Sequence, residues 1–497
     1  MNAADRRIAA GLFVLSFVSY AWFFGGGGWH QNAQFALTRS LVERGTFILD
    51  DHPMNTGDIS WSRASGEWHV YSNKPPGLSF LGALPYAMAY GTERLMGVAV
   101  DEWQTMTLNA YIVTVMTCGI TGAMIPVLLY RYARRRAGAS AAVAVFVALT
   151  IAFATIVFPY ATMLFAHVPA AFFLLLAFVW LDERPLLAGV AAGIAGVSFL
   201  FCIPAAAVLC LGALARSRRN AVAVAAGGLP FGVLLALYNY ICFGSPLVTS
   251  PQASKHFADD TLLLGMFRLP LPEAIWGVTF SAYRGLFYVS PVLLVAAAGA
   301  WIMFRQKTMR RELAMIASIF AILLAGNASF NGWEGGNAFG PRYLLVVIPL
   351  MGVPLLFART RLALTVAGIL AVVSFSIQLV ATAVDPMPPA RVRDPIAAYL
   401  LPAFLTGSIS PEAAVARRLL FTDVGMTSIN VQSVDEVEPH HRYAGRTHEA
   451  TWASFNLGEL LFGPGTRSSI VPITLWIVAG SALLVWHARR VDLALQV

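Results

Sequence analysis

Met106–Arg136 reads MTLNAYIVTVMTCGITGAMIPVLLYRYARRR, and this stretch decides the fold. From Met106 to Tyr130 it carries no charged side chain, and a bilayer core is crossed by ~20 apolar residues as a helix. It ends abruptly in Arg131, Arg134, Arg135 and Arg136. Short basic clusters beside apolar runs mark the cytoplasmic side. Met106–Tyr130 therefore reads as a span entering from outside, which puts everything from Gly25 to about Trp103 on the outer face.

The same grammar recurs in both directions. Arg6 and Arg7 hold the N-terminus inside, before an apolar run from Ile8 to Phe24 that reads as a retained first span rather than a signal peptide. Further spans are expected at 139–158, 162–181, 186–202, 203–215, 221–242, 285–304, 313–328, 341–358, 362–383 and 469–487. Their inner loops carry Arg184; Arg216, Arg218 and Arg219; Arg305, Lys307, Arg310 and Arg311; Arg359 and Arg361; and Arg489 and Arg490. The total is about twelve helices, with eleven to thirteen allowed because Pro204 splits one long apolar stretch. Leu78–Leu95, interrupted by Pro85 and Gly91, reads as an interfacial or re-entrant helix.

Composition agrees. Of 497 residues, 58% are hydrophobic and 12% charged, and mean hydropathy is +0.66; soluble proteins carry about 25% charged residues. The expected class is an all-α polytopic membrane protein with a long first outer loop. The net charge of +8 lies in the inner loops rather than on a folded basic face, which excludes nucleic acid as a partner. Cys118, Cys202, Cys210 and Cys242 lie in or beside apolar spans without zinc-site spacing and read as small buried hydrophobes.

The organisation expected is a membrane core over 1–383 that includes the outer loop 25–103, an outer cap over 384–468, and a last helix and tail over 469–497. In the cap, His440, His441 and His448 are weak metal candidates, since such segments are more often solvated.

The spans are almost free of ionisable residues, whereas transporters carry them at mid-membrane to mark an ion path. Polar residues gather instead at the outer boundary, which points to chemistry there on a lipid-anchored substrate. The loop from Trp29 to Pro76 is the richest stretch. Asn32–Thr46 reads as an amphipathic helix lying on the bilayer and stopped by Gly45. Asp50, Asp51 and Asp58 are candidate general bases or metal ligands, against the plainer role of capping turns. Lys74, fixed by Pro75 and Pro76, suits a phosphate leaving group. Arg342, at the end of the glycine-rich turn from Asn331, would supply a second cation. Asn73, His167, Glu334 and Tyr343 are candidates for lining the pocket on the acceptor side.

At these residues the chain resembles the GT-C glycosyltransferases, in the bacterial branch related to protein mannosyltransferases and the lipid A aminoarabinose transferase. The resemblance rests on an ordered set: a loop helix ending in Arg44-Gly45, the acidic residues, Tyr71-Ser-Asn-Lys-Pro-Pro-Gly77, Phe165-Ala-His-Val-Pro169, Tyr238–Pro246, Arg284–Pro291 and Gly340-Pro-Arg-Tyr343. It implies transfer of a sugar from a polyprenyl-phosphate donor to a lipid, glycan or protein acceptor at the extracytoplasmic face of the inner membrane, with inversion. It also implies a catalytic acid in the first outer loop and basic residues on the donor phosphate, with Lys74 at the family's lysine. Two departures stand out. Asn73 replaces the acid that precedes the lysine in relatives, and His30-Gln31-Asn32 stands where aminoarabinose-type relatives begin the loop helix with Asp-Glu. An amide is no base and a poor divalent ligand, so a divalent metal is left open. Two other classes remain: a polymerase or ligase of lipid-linked glycans, relying on 384–468, and a flippase or transporter of a lipid-linked substrate.

Overall fold

The computed structural model describes residues 3–26, 28–52, 56–253, 266–306, 309–407, 454–463 and 466–494. His440, His441 and His448, and most of the expected 384–468 cap, lie outside the described residues. Helices dominate. Among the described residues five are long and apolar enough to cross a membrane by length and composition: Gln104–Arg135, Arg218–Phe243, Arg310–Ser329, Arg361–Val384 and Arg467–Ala494. Shorter apolar helices accompany them, including Ala141–Phe153, His167–Trp180, Pro185–Ser198 and Cys202–Leu214.

In chain order, α1 (Ala3–Ala21) packs against α5 (Ile120–Arg135) and against the last helix, Val471–Ala494. At the arginine-rich end, Asp5 accepts hydrogen bonds from Tyr130 (2.6 Å) and from Arg134 Nε (3.1 Å). The first backbone amides of α6 (Ala141–Phe153) donate to Asp492 of the last helix at 2.7 and 2.9 Å. That is a carboxylate placed where a helix leaves its N–H groups unpaired.

Three expected spans are segmented, and 139–158 divides between α6 and a short helix, Val157–Ala161. The run 285–304 divides into α13 (Leu286–Val289), a 3-10 turn at Pro291–Leu294 and α14 (Val295–Arg305). Proline has no N–H to continue the ladder. Inside an apolar layer the freed groups need partners, and α17 (Arg361–Val384) supplies them: Gln378 donates to the Val289 carbonyl (2.7 Å) and Ser374 accepts from the Val292 amide (3.2 Å). The run 341–358 likewise begins as a 3-10 turn, Arg342–Val347, before α16 (Ile348–Leu355).

The loop expected on the outer face, 25–103, departs most from its sequence reading. Its helix, α2 (Trp29–Glu43), does not lie on a surface with one face in water: His30 through Ser40 are all buried. Arg39 is what permits this. Its guanidinium lies 2.7 Å from Glu43 and 2.6 Å from Asp101, and Tyr86 donates to the same Glu43. A buried charge is tolerated when it is paired and hydrogen-bonded. The cluster ties α2 to α3 (Gly77–Met96), which runs unbroken through Pro85 and exposes Leu84, Met88, Leu95 and Met96.

Between α2 and α3 lies a two-stranded antiparallel ribbon absent from the sequence reading, β2 (Ile59–Ser62) paired with β3 (His69–Ser72). The shorter strands β1 (Phe23–Phe24) and β4 (Phe455–Asn456) pair with each other elsewhere. Gly77 then sets the exit of the loop. A Cβ there would sit 2.6 Å from the Ser198 amide nitrogen, so only glycine lets α3 start against the end of α9 (Pro185–Ser198).

Candidate active site

The ribbon explains how residues far apart in its loop meet. Ile59 faces Ser72 and Ser62 faces His69, so the residues just beyond the open end, Asp58 and Asn73, come opposite each other. The Asn73 amide donates to the Asp58 carbonyl at 3.1 Å. Its side-chain amide donates to Asp58 Oδ1 at 3.3 Å, and Lys74 Nζ lies 2.9 Å from Asp58 Oδ2. Thr56 accepts from the Asp58 backbone amide at 3.0 Å, which leaves the carboxylate for the lysine. Solvent reaches only 13% of the Lys74 side chain and 18% of that of Asp58.

Burial raises the Asp58 carboxyl, but the charge and hydrogen bond of Lys74, the charge of Arg342 and the Asn73 amide outweigh it, so it sits below the usual carboxylate value. For Lys74, burial lowers the ammonium, Asp58 opposes that and Arg342 adds to it; the net is below the ordinary lysine value of 10.5. Two cations and one anion therefore share a recess with one positive charge in excess, which is what binds a phosphate.

Arg342 enters through the glycine-rich turn. Gly335 has φ +76, and a Cβ there would come 3.0 Å from Arg342 Nε. Arg342 donates to the Tyr343 hydroxyl (3.1 Å), and its guanidinium carbon lies 5.6 Å from the Phe165 ring centre. The turn itself is held by Arg284, which is fully buried. Arg284 donates from Nε to the Glu334 carbonyl (2.9 Å), from Nη2 to the Gly336 carbonyl (2.8 Å) and from Nη1 to its neighbour Tyr283 (3.3 Å). Glu334 thus joins the site region through its backbone, while its charge acts on Arg284.

An aromatic wall faces the cations. His167, at the start of α8 (His167–Trp180), lies with its ring centre 5.8 Å from Phe165, 4.6 Å from Phe199 and 5.8 Å from Tyr343. His30, on α2, stacks on Phe165 at 4.2 Å with the planes 7° apart, and its ring centre is 5.8 Å from that of His167. Sequence reasoning assigns no role to His30 or Arg284: it registers His30 only as a departure from a family pattern and Arg284 only as the first residue of a resembling motif. Their partners lie far along the chain.

So the structure brings Asp58, Asn73, Lys74, Arg342, His167 and Tyr343 together and places Asp50 and Asp51 elsewhere. Asp50 is buried, accepting from the Val70 amide (2.8 Å) with His69 Nδ1 2.8 Å from its other oxygen. Asp51 is half exposed and pairs with Arg44. Replacing the two should therefore give contrasting results. Asp50→Asn is expected to cost about 1–3 kcal/mol by weakening a buried acceptor. Asp51→Asn should stay within about 0.5 kcal/mol, as for an exposed ion pair. Unfolding of the detergent-solubilised protein measures both.

No family model and no curated protein sequence matches the chain. Among solved structures, it is similar to the crystal structure of ArnT from Cupriavidus metallidurans bound to undecaprenyl phosphate and to that of the same protein in the apo state. Each similarity covers 97% of this chain and 76% of the ArnT chain, at 15% identity and a TM-score of 0.46.

Among the described residues no three His, Cys, Asp or Glu side chains gather as a metal site. The recess offers one carboxylate, already engaged by Lys74 and Asn73, and hard divalent ions require several oxygen ligands. Among the described residues this donor set does not fit such an ion.

Proposed function

We propose that the protein is a glycosyltransferase that takes a sugar from a polyprenyl-phosphate donor and passes it to a hydroxyl of a lipid, glycan or protein, at the extracytoplasmic face of the inner membrane and with inversion. The observation that carries this reading is the mostly buried ion pair of Lys74 with Asp58, on which the charge of Arg342 also acts. The ordered motifs of the sequence support it.

In the reaction the bond between the anomeric carbon and the phosphate oxygen breaks as the acceptor oxygen attacks. Charge grows on the departing phosphate, and the ammonium of Lys74 and the guanidinium of Arg342 meet it there. Donors preorganised for a developing charge in a site poor in water stabilise it more than water does. Asp58 keeps Lys74 charged and aimed, and Asn73 holds the second oxygen of Asp58. The carboxylate is thus the counter-ion of the lysine, and both its oxygens are engaged.

The experiment is direct. Purified protein given radiolabelled polyprenyl-phosphate sugars and envelope extracts should move label to an acceptor; solute flux in vesicles without transfer would overturn the reading. A pH test follows from Lys74. Its ammonium loses its proton below the ordinary value of 10.5, so affinity for undecaprenyl phosphate should already weaken on the alkaline side at pH values where a free lysine is still charged. Lys74→Arg should abolish that weakening, since a guanidinium stays charged throughout. Equilibrium binding measured across pH 7–10 checks this, on the order of tenfold per lost strong contact.

A further inference from the structure

We propose that His30 is the group that accepts the proton of the attacking hydroxyl. This rests on the glycosyltransferase reading above and assigns a step that the reading leaves open.

The geometry narrows the choice. An acceptor hydroxyl must give up its proton as it bonds to the anomeric carbon. Asp58 is poorly suited, because Lys74 and Asn73 occupy its two oxygens. The Tyr343 hydroxyl already accepts from Arg342. Glu334 is fixed through its backbone carbonyl, which accepts from Arg284, and its carboxylate acts on that arginine's charge. His30 and His167 are different: both are buried, and all four of their ring nitrogens lack a hydrogen-bond partner among the described residues. Leaving a buried polar atom unpaired costs about 1–3 kcal/mol, so an all-packing role would be filled better by phenylalanine.

Of the two, His30 fits the role. His167 is enclosed by Phe165, Tyr160, Phe199 and Tyr343. His30 has one ring face fixed on Phe165, whose own ring neighbours the Arg342 guanidinium. It belongs to the outer-loop helix, beside the exit that carries Lys74. The groups that act on its charge are Lys74 from the ribbon exit, Arg342 from the outer turn and His167 from α8. Burial first, and then these neighbours, hold its protonation well below the usual histidine range. The resting imidazole is therefore neutral and free to accept.

The same neighbours explain the coupling to donor. A bound phosphate sets negative charge against Lys74 and Arg342 and cancels the repulsion that an imidazolium would meet. The proton then passes from the acceptor oxygen to His30, that oxygen bonds to the anomeric carbon, and the sugar–phosphate bond breaks with its electron pair going to the phosphate. The imidazolium returns its proton to solvent as the products leave.

The test uses the full chain in detergent, with membranes from a strain lacking the gene as the source of donor and acceptor. Three readouts are compared for the native chain and His30→Gln: undecaprenyl phosphate affinity, thermal stability, and transfer rate against pH. The expected result is affinity within threefold and unchanged stability, with transfer lowered at least 100-fold, as for loss of a general base. The acid-side fall of the rate should vanish in the variant. Histidine-selective nitrogen labelling should show the His30 titration moving up by at least one pH unit when undecaprenyl phosphate saturates the native chain. Normal transfer in the variant, loss of phosphate binding in it, or a titration that phosphate does not move would each overturn the role of His30 while the donor reading stands. Failure of the native chain to bind undecaprenyl phosphate would bring down both.

Discussion

Lys74→Met is expected to lower transfer by 10²–10³-fold, about the effect of removing one preorganised donor to a developing anion, and to weaken undecaprenyl phosphate binding in parallel. The size follows from where the lysine sits. In water a single ammonium contributes little to a phosphate, but here Lys74 is mostly buried and neighbours Arg342. Its removal also leaves the Asp58 carboxylate in the recess without its partner, where it repels an incoming phosphate. The double variant Lys74→Met with Asp58→Asn separates these contributions. It should recover part of the binding, because no uncompensated carboxylate remains, and none of the rate. Asp58→Asn alone should lower the rate less than Lys74→Met, since the cation survives with poorer aim. A Lys74→Met chain that transfers normally would remove the phosphate-binding role from this lysine.

The second large effect is expected far from any charge on the substrate. Arg284→Met should destabilise the protein by on the order of 4 kcal/mol, because hydrogen bonds from a charged donor contribute about 1.5–3 kcal/mol each and the side chain is wholly buried. Arg284 serves two carbonyls of the glycine-rich turn and one of its own strand of chain. Among the described residues no carboxylate pairs with it; backbone dipoles and the face of Tyr283, 4.1 Å away, receive its charge. Loss of these contacts frees the turn that delivers Arg342. The apparent Tm should fall sharply and phosphate affinity with it, whereas Arg284→Lys should retain part of both. An unchanged Tm would show that the turn holds itself.

What the sequence discloses and what it withholds divide along physical lines. A membrane helix is a local object: Met106–Tyr130 announces itself by an apolar length and the arginines that follow, and the structure builds Gln104–Arg135 there. The polar outer loop is equally local. The fate of α2 is not. Its alternation of Phe35, Leu37 and Leu41 with Arg39 and Glu43 reads as one wet face, and only Asp101, remote in the chain, reveals that the arginine can be buried. The ribbon was hidden because its strands are only four residues long: Ile59-Ser60-Trp61-Ser62 alternates, but over too short a run to stand out, and His69-Val70-Tyr71-Ser72 does not alternate cleanly. The meeting of Lys74 with Arg342, and of His30 with Phe165, depends on packing between distant helices, which no window of residues contains. Asp50, Asp51 and Asp58 look alike in sequence; the structure separates them by what each one touches.

The ribbon also has a bearing on how such a protein can change. Asp58 and Asn73 stand one step past the last strand pair, Ile59 with Ser72. Side chains along a strand alternate with a period of two. Adding residues to the turn between Arg63 and Trp68 lengthens the tip and leaves the open end in place. A single insertion between Asp58 and Ser62 instead turns the carboxylate to the opposite face and away from Lys74. Variation in length is therefore cheap at one end of the ribbon and ruinous at the other, and a chain of this design can remodel the outer rim of its site without disturbing the charges at its floor.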